Sequence, residues 1–204
     1  IYFVSSAGGM VYTIKNDTVK RIDKSFNHGM QYGANVFEHD HTAFKYGGYG
    51  FWSNRDFFTY YDKKQDEWEV YDPINLDIAP TGRAFYFSVK TKNRYHLFGG
   101  RSVNPYNHRQ QLKTNEVWTF DFKNSAWQYH GKHAPIEEYE TSIPFGNKLI
   151  LIKKNRMTLI HVESNRKTIY NNSPISAQIA GIYFVTYANS KFYVIIGNST
   201  GVYL

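Results

Sequence analysis

The chain has 204 residues, a formal net charge of +7, 42% hydrophobic and 18% aromatic residues, and no cysteine. Disulfides, thiolate metal sites and cysteine nucleophiles are therefore excluded. No run of about 18 apolar residues reads as a membrane-spanning helix, and no basic cluster exceeds two consecutive Lys or Arg, which argues against a nucleic-acid partner.

In chain order, residues 1–4, 10–14 and 18–22 read as three strands, with Gly8-Gly9 after the first. A pattern then occurs twice. Phe44-Lys45-Tyr46-Gly47-Gly48 is followed by Tyr61-Asp62 and Trp68, and Leu97-Phe98-Gly99-Gly100 is followed by Phe120-Asp121 and Trp127. The second glycines, Gly48 and Gly100, lie 52 residues apart, and Asp precedes Trp by six residues in both copies. The copies span 35–73 and 82–130. A worn unit covers 139–171: Phe145-Gly146-Asn147 turns into Lys148-Leu149-Ile150-Leu151-Ile152, and Leu159-Ile160-His161 leads to Lys167 where the other copies have Trp. Residues 182–188, 192–196 and 201–204 are three more predicted strands, in a last unit at 178–204.

A period near 50 residues with an apolar-Gly-Gly signature marks a β-propeller blade. Gly-Gly at a strand end permits positive φ and close backbone approach. Trp68 and Trp127 are each expected to be buried against the Gly-Gly corner of their own copy. The step from the second Gly to Trp grows from 20 to 27 residues between the copies, and all seven extra residues fall between the second and third strands.

These residues resemble the kelch repeat of galactose-oxidase-like propellers. The resemblance spans nearly the whole chain and is specific in the middle, including Asn115-Glu116-Val117-Trp118-Thr119-Phe120-Asp121. It implies an all-β, kelch-like β-propeller of four-stranded antiparallel blades. The terminal units (1–24 and 178–204) hold six strands, too many for one blade and too few for two. The expectation is about five blade equivalents in one segment, 1–204, that continues into a larger ring. The Tyr-Cys copper cofactor of some enzymes of this fold needs a cysteine, so no cofactor is expected.

The resemblance also places the connections between strands two and three, 49–56 and 101–116, on one rim of a central channel. They offer aromatics for stacking and Arg for carboxylates, phosphates or sugar hydroxyls. The candidate ligand residues are Trp52, Arg55, Arg101, Tyr106, His108 and Arg109, with Tyr49, Asn54, Asn104 and Gln110 beside them. His39 and His41 would share a strand face as two metal ligands do, but no third ligand is fixed, so no metal is assigned. His130 and His133 are placed near the same rim, and Glu137, Glu138 and Glu140 form a solvated acidic entry to a strand. Lys63-Lys64 and Lys153-Lys154 fall at expected turns, where they favour solubility and protect strand edges.

No nucleophile elbow, phosphate-binding glycine loop or zinc signature is present, and no catalytic residue is assigned. The expected function is that of a binding module, the sensory or scaffolding propeller of a larger bacterial protein, recognising a protein or glycan in a periplasmic or extracellular setting. The alternative is a sugar-modifying enzyme similar to kelch-fold mutarotases.

Overall fold

The computed structural model describes residues 2–5, 9–25, 31–75, 77–104, 106–132, 141–153, 156–164 and 166–171, and the backbone of strands at 181–188, 191–198 and 201–203. These residues are all-β, without a helix. Among them no helix is long and apolar enough to cross a membrane. The chain divides into two compact units, Ile1–Ile136 and Glu137–Leu204.

In the first unit, β1 (Tyr2–Val4), β2 (Val11–Lys15) and β3 (Thr18–Arg21) form a three-stranded sheet in that order. Next come β4 (Asn35–His39), β5 (Thr42–Tyr46), a small hairpin of β6 (Tyr49–Gly50) and β7 (Ser53–Asn54), then β8 (Phe58–Asp62) and β9 (Glu67–Tyr71). The sheet order is β4-β5-β8-β9. The plan repeats with β10 (Phe87–Lys90), β11 (Arg94–Phe98), a hairpin of β12 (Arg101–Asn104) and β13 (Asn107–Lys113), β14 (Glu116–Asp121) and β15 (Ala126–Lys132), in the order β10-β11-β14-β15. All pairings are antiparallel.

In the second unit, β16 (Thr141–Phe145), β17 (Lys148–Lys153), β18 (Arg156–His161) and β19 (Arg166–Asn171) form a third four-stranded antiparallel sheet. Ile143, Ile150 and Ile152 are its buried cluster. β20 (Gly181–Ala188), β21 (Lys191–Asn198) and β22 (Gly201–Tyr203) form a three-stranded one. Registers explain the worn repeat. Trp68 lies opposite Tyr61, Trp127 opposite Phe120, and Lys167 opposite Ile160. The outer strand survives the loss of Trp because its pairing is made by the backbone.

The glycines act where crowding demands them. Gly47 and Gly48 have φ of 63° and 95°, and Gly99 and Gly100 repeat this at 62° and 108°. A β-carbon on Gly48 would stand 2.5 Å from the Gln31 Cα, so no side chain fits there. The amide of Gly47 donates to the Phe57 carbonyl at 3.1 Å, and that of Gly99 to the Glu116 carbonyl at 2.9 Å, which fixes the same corner in both copies.

The main core lies within the first unit and joins the β4-β5-β8-β9 sheet to the β10-β11-β14-β15 sheet, the second and third sheets in chain order. Tyr46, Phe58, Tyr86, Tyr95, Leu97, Phe120 and Trp127 are buried together. Trp127 stacks on Phe58 with ring centres 5.4 Å apart, and Phe37 stacks on Tyr95 at 4.2 Å. Each such pair adds about 0.5–1.5 kcal/mol beyond its area. Asn35 on β4 ties the inner strands together, donating from its side chain to the Tyr86 carbonyl at 3.1 Å and the Ser88 hydroxyl at 2.9 Å. The joint between the first and second sheets is smaller, with Val11, Tyr61 and Trp68 at its centre.

Both tryptophans are buried, yet neither meets the Gly-Gly corner of its own copy. The Trp68 Nε1 donates to the Gly9 carbonyl at 2.6 Å, in the corner of the preceding sheet. Trp127 packs against Tyr46, which immediately precedes Gly47. The reason is distance: the outer strand sits two strands from the Gly-Gly strand of its own sheet, about 10 Å away, whereas the preceding sheet lies face to face with it.

Candidate binding site

The segments 49–56 and 101–116 are hairpins rather than irregular loops, and β12 lies against β7. A short strap preceding the third sheet stitches them together. Arg83 donates its amide to the Arg55 carbonyl at 3.1 Å and accepts from the Gly48 amide at 2.8 Å, while Ala84 and Arg101 exchange both backbone hydrogen bonds at 2.9 Å. Tyr32 and Tyr49 form the equivalent ladder one copy earlier. The seven-residue expansion has thus lengthened a built hairpin arm.

Between the hairpins lies a groove of about 690 Å³, lined by Ser53 and Asn54 on one side and Ser102, Leu112, Lys113 and Glu116 on the other. Beneath it the Arg83 side chain is fully buried. Its guanidinium donates to the Glu116 carboxylate at 2.8 Å, the Gly99 carbonyl at 3.2 Å and the Thr81 carbonyl at 2.9 Å. The Trp118 Nε1 donates to the same Glu116 oxygen at 3.0 Å. Burial pushes the Glu116 pKa up, but the hydrogen bonds from Arg83 and Trp118 and the guanidinium charge outweigh it, and the carboxyl is held below its usual range. Glu116 is therefore a committed anion and a poor proton donor.

Trp52, Arg55, Arg101, Tyr106 and Arg109 are not among the residues that line this groove. Trp52 forms the tip of the short hairpin with Phe51, and their side chains are 80% and 71% exposed. Both have positive φ, 48° for Phe51 and 66° for Trp52. Two other two-residue turns in the unit have the same backbone, Asn16-Asp17 and Asp40-His41, and use residues that tolerate the left-handed region. Phe and Trp do not, and each costs about 1 kcal/mol or more there. Arg55 follows this hairpin. Its guanidinium donates to the Gly50 carbonyl at 3.2 Å and lies 6.0 Å from the Phe51 ring centre.

On the longer arm, Arg101 and Arg109 are exposed and Tyr106 is 96% exposed at the tip. The Asn104 side chain accepts from the Tyr106 amide at 2.9 Å and donates to Gln110 at 2.8 Å, which orders the tip. His108 belongs to β13, where its backbone alone is described. The structure brings the two hairpins together as neighbours.

The histidine pair is a correction. His39 ends β4, stacked on Phe122 at 3.9 Å, while His41 sits in the turn with φ of 59°. The positive-φ turn ends the strand alternation that would have set both rings on one face. Among the described residues no group of three or more His, Asp or Glu could hold a metal. His130 lies on β15 with its Nε2 at 2.9 Å from the Thr119 hydroxyl. Lys63-Lys64 occupies the turn between β8 and β9. His133, Glu137, Glu138, Glu140 and Lys154 lie outside the described residues.

The sequence reading missed Arg83, the groove wall and the buried Lys45. Arg83 was findable: the offset of 52 that relates Gly48 to Gly100 maps it onto Gln31, a substitution of a neutral for a charged group at a crowded corner. No family model and no curated protein matches the chain.

Proposed function

We propose that the chain is a non-catalytic binding module. On this reading its sheets are blades of a kelch-like propeller, about five blade equivalents in a larger ring. The rim hairpins recognise a protein or glycan partner in an extracytoplasmic setting. The observation that carries the reading is the Phe51-Trp52 turn. Two large aromatics occupy a left-handed turn that Asn-Gly would fill without strain, and both rings project into solvent. Strain at an exposed aromatic tip is a cost to stability that the weak contact between Arg55 and the Phe51 ring does little to offset, as expected at a contact site. Held as an anion by Arg83 and Trp118, Glu116 is unsuited to act as a general acid in the groove.

The test is a trade. Phe51→Asn/Trp52→Gly rebuilds the tip as a favourable turn and should raise stability by about 1–3 kcal/mol. On a glycan array and in crosslinking capture of proteins, the same variant should lose at least tenfold in affinity for whatever the parent chain binds. A variant that is stabilised and keeps every ligand at unchanged affinity would overturn the reading.

A further inference from the structure

Resting on the binding reading above, we propose that β13 takes an extended acidic peptide as an added antiparallel or parallel strand. Three observations converge on this. First, β13 pairs with β12 alone among the described residues, and every residue of it whose side chain is described is exposed. A two-stranded arm in water is marginal, and an open edge is a template for a further strand.

Second, the geometry shows which groups the edge offers. Arg101 spends both its backbone N–H and C=O on Ala84, so it makes no ladder bond with Lys113 opposite. By the alternation of antiparallel pairs, Gln111 and Lys113 turn their N–H and C=O groups to the free edge, while Leu112 bonds inward to Ser102.

Third, the charge is one-sided. Residues 101–115 contain Arg101, Arg109 and Lys113 and no Asp or Glu. Arg101 and Lys113 are directly opposed, a like-charge cross-strand pair that repels. The one carboxylate at the base, Glu116, is taken by Arg83. An added strand with a carboxylate beside Lys113 relieves this repulsion. A second copy of this chain would worsen it, because it would bring a further Arg101 and Lys113 and no carboxylate from residues 101–115 to the same edge.

The test is fluorescence anisotropy with a labelled, terminally blocked peptide of four Val-Glu repeats. Two methylated forms accompany it, one with the valine and one with the glutamate backbone nitrogens methylated, together with a Val-Lys counterpart and an oligothymidylate of similar charge. The Val-Glu peptide should saturate the chain, one methylated form should bind and the other should not, and the Val-Lys peptide should be weaker by at least tenfold. Gln111→Pro removes one outward N–H without touching the hairpin ladder and should cost at least tenfold, whereas Gln111→Thr, which keeps that N–H, should bind as the parent does. Lys113→Glu should reverse the preference toward the Val-Lys peptide.

No saturation at millimolar peptide, equal binding of both methylated forms, or oligothymidylate binding as tightly as the peptide would each overturn the proposal. The two readings separate cleanly. If the peptide fails while ligand capture still depends on Phe51 and Trp52, only strand addition falls. If the peptide depends on Gln111 and not on Trp52, strand addition stands and the aromatic tip is dropped.

Discussion

The second and third sheets share a backbone frame and fill it differently. The corner hydrogen bonds, the glycine φ values and the Trp registers coincide. The side chains at matched positions do not: Lys45 stands where the third sheet has Leu97, and Gln31 where it has Arg83. Consequently the joint around Trp127 is an aromatic cluster, while the joint around Trp68 encloses a lysine whose Nζ lies 3.9 Å above the indole ring. The rim hairpins diverge as well, one short with an aromatic tip and one long and basic. A repeat of this kind is held by its backbone corners, so its sheet-to-sheet joints and its arms are free to change independently.

The largest expected effect tests the unequal joints. Trp127→Ala should cost about 3–5 kcal/mol in chemical denaturation, because the ring is buried against Tyr46, Phe58 and Phe120 with little freedom for collapse. Trp68→Ala should cost less, since it also uncovers the poorly solvated Lys45 ammonium. The reverse ranking would break the comparison, and a loss below about 1 kcal/mol at Trp127 would remove the role of that ring as the joint.

How much of this could be read beforehand follows from what spacing encodes. Gly-Gly, Asp and Trp at constant intervals reveal strand order within a sheet, because pairing follows the chain, and even Lys167 in the worn unit was locatable. Spacing carries no information about which neighbouring sheet a ring covers, so the sequence alone points Trp68 and Trp127 to the wrong corner. At Phe51-Trp52 the usual turn signal is absent, so the sequence alone shows a connection where the structure has a hairpin. The groove escaped because the Arg83 and Glu116 that underlie it are 33 residues apart and meet only in the fold.

Lys45 gives the second prediction. Burial pushes its pKa from 10.5 down to about 8, with Asp23 opposing weakly. Between those values the unfolded chain binds more protons than the folded one, so stability rises with pH from about 8 toward 10. Above about 10 the sign turns, because buried Tyr46, Tyr86 and Tyr95 keep protons that the unfolded chain releases; Tyr86 is pushed up to about 12. Lys45→Met, which makes the joint resemble that at Leu97, should remove the rise and keep the fall. At pH 7 it should gain about 1–2 kcal/mol, the desolvation relieved exceeding the lost cation–π contact of about 0.5–2 kcal/mol. Denaturation midpoints of both proteins from pH 7 to 11 decide it. Parallel curves would mean that Lys45 is solvated in the folded chain.

The smallest effect separates the two arms. In the short hairpin the pair at the base is Tyr49 and Asn54, uncharged, whereas in the long one it is Arg101 and Lys113. Like charges directly opposed cost about 0.2–1 kcal/mol, and raising salt from about 0.1 M to about 1 M shortens the screening length from about 10 Å to about 3 Å. Amide exchange reads this locally, where global unfolding would not. The Leu112 amide, inside the β12–β13 ladder, should become better protected as salt rises, while the Arg55 amide, bonded to the Gly48 carbonyl at 2.8 Å beside the uncharged pair, should not respond. Lys113→Glu should protect Leu112 at low salt by up to about fivefold, the equivalent of 1 kcal/mol, and should invert the salt response, since an attraction is now being screened. If Leu112 exchanges at the same rate in the parent chain across that range, the Arg101–Lys113 repulsion is already relaxed by side-chain rotation, and the charge part of the case for an acidic partner on β13 goes with it.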